Sequence, residues 1–165
     1  MKNRKEENGS FNDNWETPEY ILEFVRKYFK GENFFDPCPL SIDIGGGNFQ
    51  IQFNGLNIDW QERNFVNPPY NRHDKPKFIK KAYEEYLKGN TSILLIPATT
   101  EVKWFHQYII PYAQIFFIEG RVKFKGFNSK GNYVTNKSGQ TGSMICILNP
   151  NEKPSINTLK IDHNI

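Results

Sequence analysis

The sequence predicts an α/β fold with a mainly parallel sheet. Apolar stretches of strand length alternate along the chain with stretches whose apolar residues recur at helical spacing. A strand, a helix and a second strand in succession form the βαβ unit, whose two strands run parallel. The stretch TSILLIPA, residues 91–98, is apolar throughout, which is typical of a strand buried on both faces of a parallel sheet. No internal repeat or linker divides the 165 residues.

The first predicted helix lies in TPEYILEFVRKYFKG, residues 17–31. Thr17 suits the N-cap and Pro18 suits the first helical position, where a missing N–H costs nothing. Apolar residues then recur at i, i+3, i+4 and i+7, which gives the helix one apolar face. Gly31 is expected to end it.

The elements that follow are predicted from shorter signals. A strand ends at Asp36-Pro37, and a second strand, NFV, ends at the corner Asn67-Pro68-Pro69-Tyr70. Residues 41–58 are ambiguous, and their three consecutive glycines are expected to form a surface loop. The other predicted elements are the helices in residues 75–89 and 101–110 and the strands in residues 91–98, 113–120, 121–126 and 142–149.

The ends of the chain are polar, and the composition argues against several classes of protein. Residues 1–13 are expected to form a flexible arm, residues 14–149 a single domain and residues 150–165 a loose tail. No apolar run approaches the roughly 20 residues that span a bilayer, so a cytoplasmic protein without a membrane partner is expected. The 2 cysteines form no CxxC pair and the 3 histidines are scattered, so no metal is expected.

Basic residues are concentrated in two stretches, although the formal net charge is only +3. Residues 120–142 contain no acidic residue, and a second basic stretch follows the proline corner. Lysine and arginine interleaved with aromatic residues suit a phosphate backbone with stacked bases. A solvated lysine-rich surface explains the charge equally well. The candidate DNA contacts are Arg72, Lys75, Arg121, Lys123, Lys125 and Lys130.

The corner Asn67-Pro68-Pro69-Tyr70 carries the strongest chemical signal. Two prolines fix the backbone, and the carbonyl between them is free to accept a hydrogen bond. The side-chain oxygen of Asn67 is a second acceptor, so together they suit an amino group with two hydrogens, such as the exocyclic amine of a base. Tyr70 offers a ring on which the base could stack. The alternative is that the prolines only end a strand.

Such a cradle suits methyl transfer to an amine whose lone pair is delocalised into an aromatic ring. Two acceptors that hold both hydrogens draw electron density onto the nitrogen, so positioning and electrostatics replace a strong base. A base must leave its stack to reach the pocket. Adenine N6, cytosine N4 and a protein glutamine amide all fit this cradle as targets. A non-catalytic nucleic-acid-binding module of the same fold is a further alternative.

Five segments, taken in order, resemble the phage-type DNA N-6-adenine methyltransferases, which are related to enzymes of restriction-modification systems. These segments are NWETPEYILEFV, FFDPCPL, FVNPPYNR, the stretch from ILLIPATTEVKWF to EGRVKF, and GSMICIL. The resemblance covers residues 14–148 and implies transfer of a methyl group from S-adenosylmethionine to N6 of adenine in DNA, in a bacterial host or phage-infected cell. It also implies a Rossmann-like class I methyltransferase sheet, mainly parallel, with helices on both faces and an antiparallel C-terminal hairpin.

The resemblance also implies which residues act. Asn67, Pro68, Pro69 and Tyr70 match the catalytic motif. The cofactor-binding candidates are Trp15, Thr17, Pro18, Asp36, Pro37, Cys38 and Asp59. The chain departs from many methyltransferases in having DPCPLS where they carry a Phe-x-Gly-x-Gly loop after the first strand. A chain of this length leaves no room for a separate target-recognition domain, so a short recognition site or low sequence selectivity is expected. The sequence does not predict an oligomeric state.

Overall fold

Ten strands, two α-helices and one π-helical segment make up the part of the chain that the structure describes. The computed structural model describes residues 15–45, 48–128 and 130–161. The elements in chain order are β1 (Trp15–Glu16), α1 (Glu19–Tyr28), β2 (Ile42–Gly45), β3 (Asn48–Gln50), β4 (Arg63–Val66), α2 (Asp74–Leu87), β5 (Thr91–Pro97), the π-helical segment (Phe105–Ile109), β6 (Gln114–Ile118), β7 (Lys123–Phe127), β8 (Tyr133–Ser138), β9 (Ser143–Leu148) and β10 (Ser155–Leu159).

A five-stranded sheet carries most of the core, with the strand order β10-β6-β9-β5-β4. β4 and β5 are parallel neighbours, as are β6 and β10. β9 lies between β5 and β6 and runs antiparallel to both. α2 supplies the crossover that two parallel neighbours such as β4 and β5 require. Between β6 and β9 the chain passes through the β7–β8 pair and reverses direction, so the sheet is mixed.

The expectation of a mainly parallel, Rossmann-like sheet is therefore wrong. Half of the four strand pairings in the five-stranded sheet are antiparallel, and two smaller sheets lie beside it, both antiparallel. The physical reason is that an apolar run such as β9 encodes burial on both faces, and burial does not specify strand direction. The described residues contain two α-helices, and the predicted helix over residues 101–110 contains the π-helical segment instead.

The smaller sheets extend the fold beyond the core. β1 pairs with β7, and β7 pairs with β8, so a three-stranded antiparallel sheet joins the start of the domain to its C-terminal half. Trp15 lies opposite Gly126 and Glu16 lies opposite Lys125. β2 and β3 form a two-stranded antiparallel sheet of their own.

Two hydrophobic clusters hold the elements together, and alternate residues of β5 enter each one. Leu94 and Ile96 pack in the cluster that contains Ile79 of α2. Residues Ile93 and Leu95 pack in the other cluster, together with residues of α1. All of these β5 side chains are fully buried, and burying one such side chain stabilises a fold by roughly 1.5–3 kcal/mol. The clusters fix the two helices relative to β5 and therefore to the strand ends beside it.

Two further sequence predictions need correction, and two lie outside the described residues. α1 begins at Glu19 with Pro18 at the N-cap position, so Thr17 does not cap the helix as predicted. The polar tail was expected to be loose, but residues 155–159 form β10, because β6 offers an edge with which they pair. The arm over residues 1–13 and the glycines at positions 46 and 47 are not described. None of the described helices combines the length and apolarity needed to cross a membrane.

Candidate active site

A cleft of about 1100 Å³ opens at the carboxyl end of β4. Its walls come from the β1–α1 junction, the segment after Phe34, the loop before Trp60 and the start of α2. Pockets that enclose a small ligand commonly measure ~300–1,000 Å³, so this cleft is large enough for a cofactor and a reacting base together. A second cavity, of about 380 Å³, lies near the amino ends of β4 and β5 and contains none of the predicted site residues.

The proline corner is held rigidly between β4 and α2. The ladder between β4 and β5 ends at the pair Val66 and Leu94, directly before the corner. On the other side, Oδ1 of Asn71 accepts hydrogen bonds from the backbone N–H groups of His73 at 3.0 Å and Asp74 at 2.8 Å. These bonds tie Asn71 to the first residue of α2 and to the residue before it. Both flanks of the corner are therefore joined by hydrogen bonds to regular elements of the fold.

The side chain of Asn67 is oriented by a residue from the β1–α1 junction. Its Nδ2 donates a hydrogen bond to Oγ1 of Thr17, with a donor–acceptor distance of 3.1 Å. No donor among the described residues bonds to Oδ1 of Asn67 or to the carbonyl oxygen of Pro68. Both residues line the cleft. Two acceptors are therefore available at the position where the sequence predicts an amine cradle.

Tyr70 closes the corner, and its ring is supported from the side by β7. The ring packs edge-to-face against Phe124, with centroids 5.8 Å apart and an interplanar angle of 79°. The Tyr70 hydroxyl is buried and has no hydrogen-bond partner among the described residues. Burial raises the pKa of this phenol well above its usual range, so it stays protonated. Tyr70 is thus a neutral, fixed aromatic group in the cleft wall.

Asp36 lies at the end of the segment that pairs with β4 through Phe35 and Asn64. Its Oδ1 accepts a hydrogen bond of 2.8 Å from the backbone N–H of Cys38, which closes a tight turn. Burial raises the pKa of the Asp36 carboxyl, and the Cys38 N–H only partly opposes this shift. Burial and the nearby carboxylate raise the pKa of the Cys38 thiol, so the thiol is not a nucleophile at neutral pH. The turn presents one polar acceptor group to the cleft.

The structure brings most of the predicted site residues together in this one cleft. All four residues of the corner line it, and so do the cofactor-binding candidates other than Asp59. Asp59 is exposed and lies outside the cleft lining. The residues that meet there are Trp15, Thr17, Pro18, Asp36, Pro37, Cys38, Asn67, Pro68, Pro69 and Tyr70.

Comparison with known proteins places the chain in a family. The family model described as DNA N-6-adenine-methyltransferase (Dam) matches residues 4–164. The chain belongs to this family. Membership confirms the function that the sequence predicts, methylation of adenine N6 in DNA, and with it the adenine-specific enzyme class. A methyltransferase requires a methyl donor and, in this family, a DNA substrate.

Two phage proteins illustrate the relationship. The DNA N-6-adenine-methyltransferase of Haemophilus phage HP1 is 25% identical over 130 residues, which cover 78% of this chain and 70% of the relative. The protein of the same name from Escherichia phage T1 is 28% identical over 110 residues, which cover 65% of this chain and 45% of the relative. No solved structure matches the chain significantly.

The predicted DNA contacts of this methyltransferase occupy different environments. Lys125 is exposed on β7 and lines the cleft. The guanidinium of Arg121 donates to the carbonyl oxygens of Gly139 and Gln140, both at 2.6 Å, so it also braces the loop before β9. The other four do not line the cleft, and Lys75 is the most buried of them, which lowers the pKa of its ammonium group. The remaining three, Arg72, Lys123 and Lys130, are exposed.

Sequence reasoning missed the residues that shape the cleft wall of the methyltransferase. The indole N–H of Trp60 donates to the carbonyl oxygen of Gly55 at 2.8 Å. The ammonium group of Lys81 on α2 donates to the carbonyl oxygens of Leu56, at 3.0 Å, and Ile58. These contacts hold the loop that carries Gly55 and Leu56 into the cleft lining. The only sequence signal for them was the closeness of Gly55 and Trp60 in the chain.

Proposed function

We propose that this protein transfers a methyl group from S-adenosylmethionine to N6 of adenine in DNA, with residues 67–70 as the cradle for the target amine. The observation that carries the assignment of roles is the hydrogen bond from Nδ2 of Asn67 to Thr17. It occupies the donor end of the amide and leaves the acceptor end, Oδ1, without a donor among the described residues, and both Asn67 and Pro68 line the cleft. The two acceptors match the two hydrogens of an exocyclic amine.

The cradle acts on the electrons of the amine. Hydrogen bonds from both N–H groups to fixed acceptors polarise the N–H bonds and favour a pyramidal nitrogen with an available lone pair. The acceptors are positioned before the base arrives, so no reorganisation is needed during the reaction. Tyr70 stays neutral because its pKa is raised by burial, and its ring, braced by Phe124, supports the extruded base by stacking.

The cofactor is assigned to the part of the cleft between Asp36 and the β1–α1 junction. S-adenosylmethionine, when bound, supplies an electrophilic methyl group on a positively charged sulfur. The residues around this region fit such a molecule: Asp36 offers an acceptor for hydroxyl or ammonium groups, while Pro18 and Pro37 offer apolar contact. We assign Trp15, Thr17, Pro18, Asp36, Pro37 and Cys38 to this subsite, and we leave the exposed Asp59 out of it.

DNA is assigned to the face that carries β7 and β8. Lys125 stands at the cleft, so a phosphate bonded to it would lie close to a base entering the cradle. Lys123 extends from the exposed side of the same strand, and Lys130 lies in the β7–β8 connection. Arg72 and Lys75 follow the proline corner in the chain. Basic groups near the site suit a negatively charged DNA backbone.

Product analysis tests this proposal. The protein is incubated with S-adenosylmethionine and unmethylated DNA, the DNA is digested to nucleosides, and the methylated nucleoside is identified by mass. We expect N6-methyladenine from the wild type and a loss of at least 100-fold in rate for Asn67→Ala, with unchanged binding of S-adenosylhomocysteine. Wild-type activity in Asn67→Ala would refute the cradle, and N4-methylcytosine as the sole product would refute the substrate.

A further inference from the structure

We infer that Thr17 is a positioning residue for methyl transfer, which acts through the amide of Asn67 rather than by contact with the cofactor alone. The inference rests on the proposed function, since it concerns the same amide. The Oγ1 atom of Thr17 accepts a hydrogen bond of 3.1 Å from Nδ2 of Asn67, which lies 50 positions further along the sequence. This is the one hydrogen bond that the structure describes for the Asn67 side chain.

The amide of Asn67 needs such a partner because its two ends have similar shapes and opposite hydrogen-bonding roles. With Oδ1 toward the cleft, Asn67 accepts from the target amine. With the amide turned over, Nδ2 would point its N–H groups at the N–H groups of that amine and the cradle would repel its substrate. In the orientation that the structure describes, the Thr17 oxygen accepts from Nδ2, and it disfavours the reversed amide when the hydroxyl donates its own proton to another group.

Thr17 is itself held in place from both sides. Residues 15 and 16 before it form β1, whose pairing with Gly126 and Lys125 of β7 fixes the backbone. After it, the carbonyl of Pro18 accepts from the N–H groups of Ile21 at 3.0 Å and Leu22 at 3.2 Å. A Thr at this place normally caps a helix, yet among the described residues no side-chain cap bond is made at the start of α1. The hydroxyl oxygen is therefore available to accept the hydrogen bond from Asn67.

The hydroxyl also retains its own proton after accepting from Asn67. The bond from Asn67 does not use that proton, so it is available to a group in the cleft, which Thr17 lines. Thr17 thus lies between the region assigned to the cofactor and the acceptor assigned to the amine. Positioning through Asn67 and direct cofactor binding make opposite predictions for kcat and for cofactor affinity, so they can be separated.

The test compares Thr17→Val, which removes the hydroxyl at nearly constant shape, with Thr17→Ser, which keeps it. Thr158→Val, at an exposed position on β10, is the matched control for the exchange of threonine for valine. For each purified protein we would measure kcat and KM for DNA methylation, the Kd for S-adenosylhomocysteine, and the side-chain NH2 signals of Asn67 by NMR. Those signals are identified by their loss in Asn67→Asp.

We expect Thr17→Val to lower kcat by about tenfold, the equivalent of one hydrogen bond, with a Kd for S-adenosylhomocysteine within about twofold of wild type. Its Asn67 NH2 protons should shift and exchange with water about tenfold faster, and Thr17→Ser should restore both the rate and the spectrum. An unchanged kcat or unchanged NH2 signals in a folded Thr17→Val would overturn the inference. So would a loss confined to cofactor affinity, or a Thr17→Ser variant as slow as Thr17→Val.

Failure of this inference is distinguishable from failure of the proposed function. If Asn67→Ala loses activity while Thr17→Val keeps it, the cradle stands and the role of Thr17 is wrong. If Asn67→Ala keeps its activity, the cradle itself is wrong. Should Thr17→Val not fold, Thr17→Ala takes its place: a slower rate with shifted Asn67 NH2 signals supports the inference, and a wild-type rate with wild-type signals refutes it.

Discussion

Gly55 approaches the backbone of Pro37 so closely that a side chain at this position has no space. A Cβ atom added to Gly55 would lie 1.9 Å from the carbonyl oxygen of Pro37 and 2.8 Å from its carbonyl carbon. The atoms that it would meet belong to the backbone, which cannot rotate away as a side chain can. This contact joins the loop before Trp60 to the turn that contains Asp36, and both line the cleft.

Gly55→Ala should therefore destabilise the protein and open the cofactor side of the cleft. We expect a loss of about 3 kcal/mol in the free energy of unfolding, at the upper end for overpacking, because two backbone segments must separate. Urea denaturation measures the stability, and titration with S-adenosylhomocysteine measures the binding. Gly142→Ala is the control, since no atom of the described part of the chain lies within 4 Å of a Cβ at that position. Equal stability of the two variants would contradict the packing argument.

Asp36→Asn should stabilise the free protein and weaken cofactor binding. Burial raises the folded-state pKa of Asp36 above its value of 3.8 in the unfolded chain, so the folded protein favours the protonated form. The contribution of the Asp36 carboxyl to the free energy of unfolding is fully present below pH 3.8, and it is lost as the pH rises through the folded-state pKa. A permanently neutral Asn removes that loss and still accepts from the Cys38 N–H, so the variant should melt at a higher temperature at pH 7.

Asp36→Asn should lower the affinity for the cofactor although it raises the stability of the free protein. A hydrogen bond to a charged acceptor contributes about 1.5–3 kcal/mol, so Asp36→Asn should weaken the binding of S-adenosylhomocysteine by at least about tenfold. In the wild type, affinity should rise with pH as Asp36 ionises, and this rise should be absent from the variant. Calorimetric titrations at several pH values measure both effects. Equal affinity of wild type and variant at pH 7 would remove Asp36 from the subsite.

The fold was predictable as far as the burial of each segment, and not beyond. The apolar run of β5 and the helical spacing in residues 75–89 predict their elements because local pattern and tertiary burial agree there. Strand direction was not predictable in the same way. β9 is as apolar as β5, and only the route of the chain through β7 and β8 makes it antiparallel. The strand β10 depends on an available edge of β6, which no local pattern in a polar tail reveals.

In the candidate site, the residues of the proline corner were predictable from the local sequence, while the residues that contact them were not. Asn67 and Tyr70 belong to one tetrapeptide whose prolines impose its geometry, so its chemistry can be inferred without a fold. The bond between Asn67 and Thr17 spans 50 positions and depends on β1 pairing with β7. The support of the cleft wall by Lys81 likewise depends on how α2 packs, so the sequence indicates only a lysine in a basic helix.

Lys81→Met should destabilise the cleft wall more than a charge change on the same helix normally does. The ammonium group of Lys81 donates to the carbonyl oxygens of Leu56 and Ile58 and lies 5.7 Å from the ring centroid of Trp60. Methionine fills similar space and leaves both carbonyls unpaired, at an expected cost of about 1–3 kcal/mol. Urea denaturation measures this cost, and S-adenosylhomocysteine should bind more weakly to the variant.

Lys80→Met is the matched control for this exchange. Lys80 is the neighbouring residue on α2 and forms an exposed i,i+4 pair with Glu84, with atoms 3.7 Å apart. Such pairs contribute about 0.3–0.5 kcal/mol, so the control should keep nearly full stability and cofactor affinity. An equal loss in the free energy of unfolding for both variants would show that the contacts of Lys81 with the loop do not stabilise the cleft wall.

Lys125→Ala should weaken DNA binding without affecting the cofactor. Lys125 is exposed on β7 beside the cleft and faces Glu16 across the strand pair. A lysine that neutralises one phosphate releases about one counterion, so its loss should reduce the slope of log K against log salt by about 1 for any DNA sequence. Fluorescence anisotropy at several salt concentrations measures the slope, and calorimetry checks that S-adenosylhomocysteine binds as before. Lys160→Ala, next to β10 at the far edge of the sheet, should leave the slope unchanged. Equal slopes for wild type and Lys125→Ala would place the DNA elsewhere.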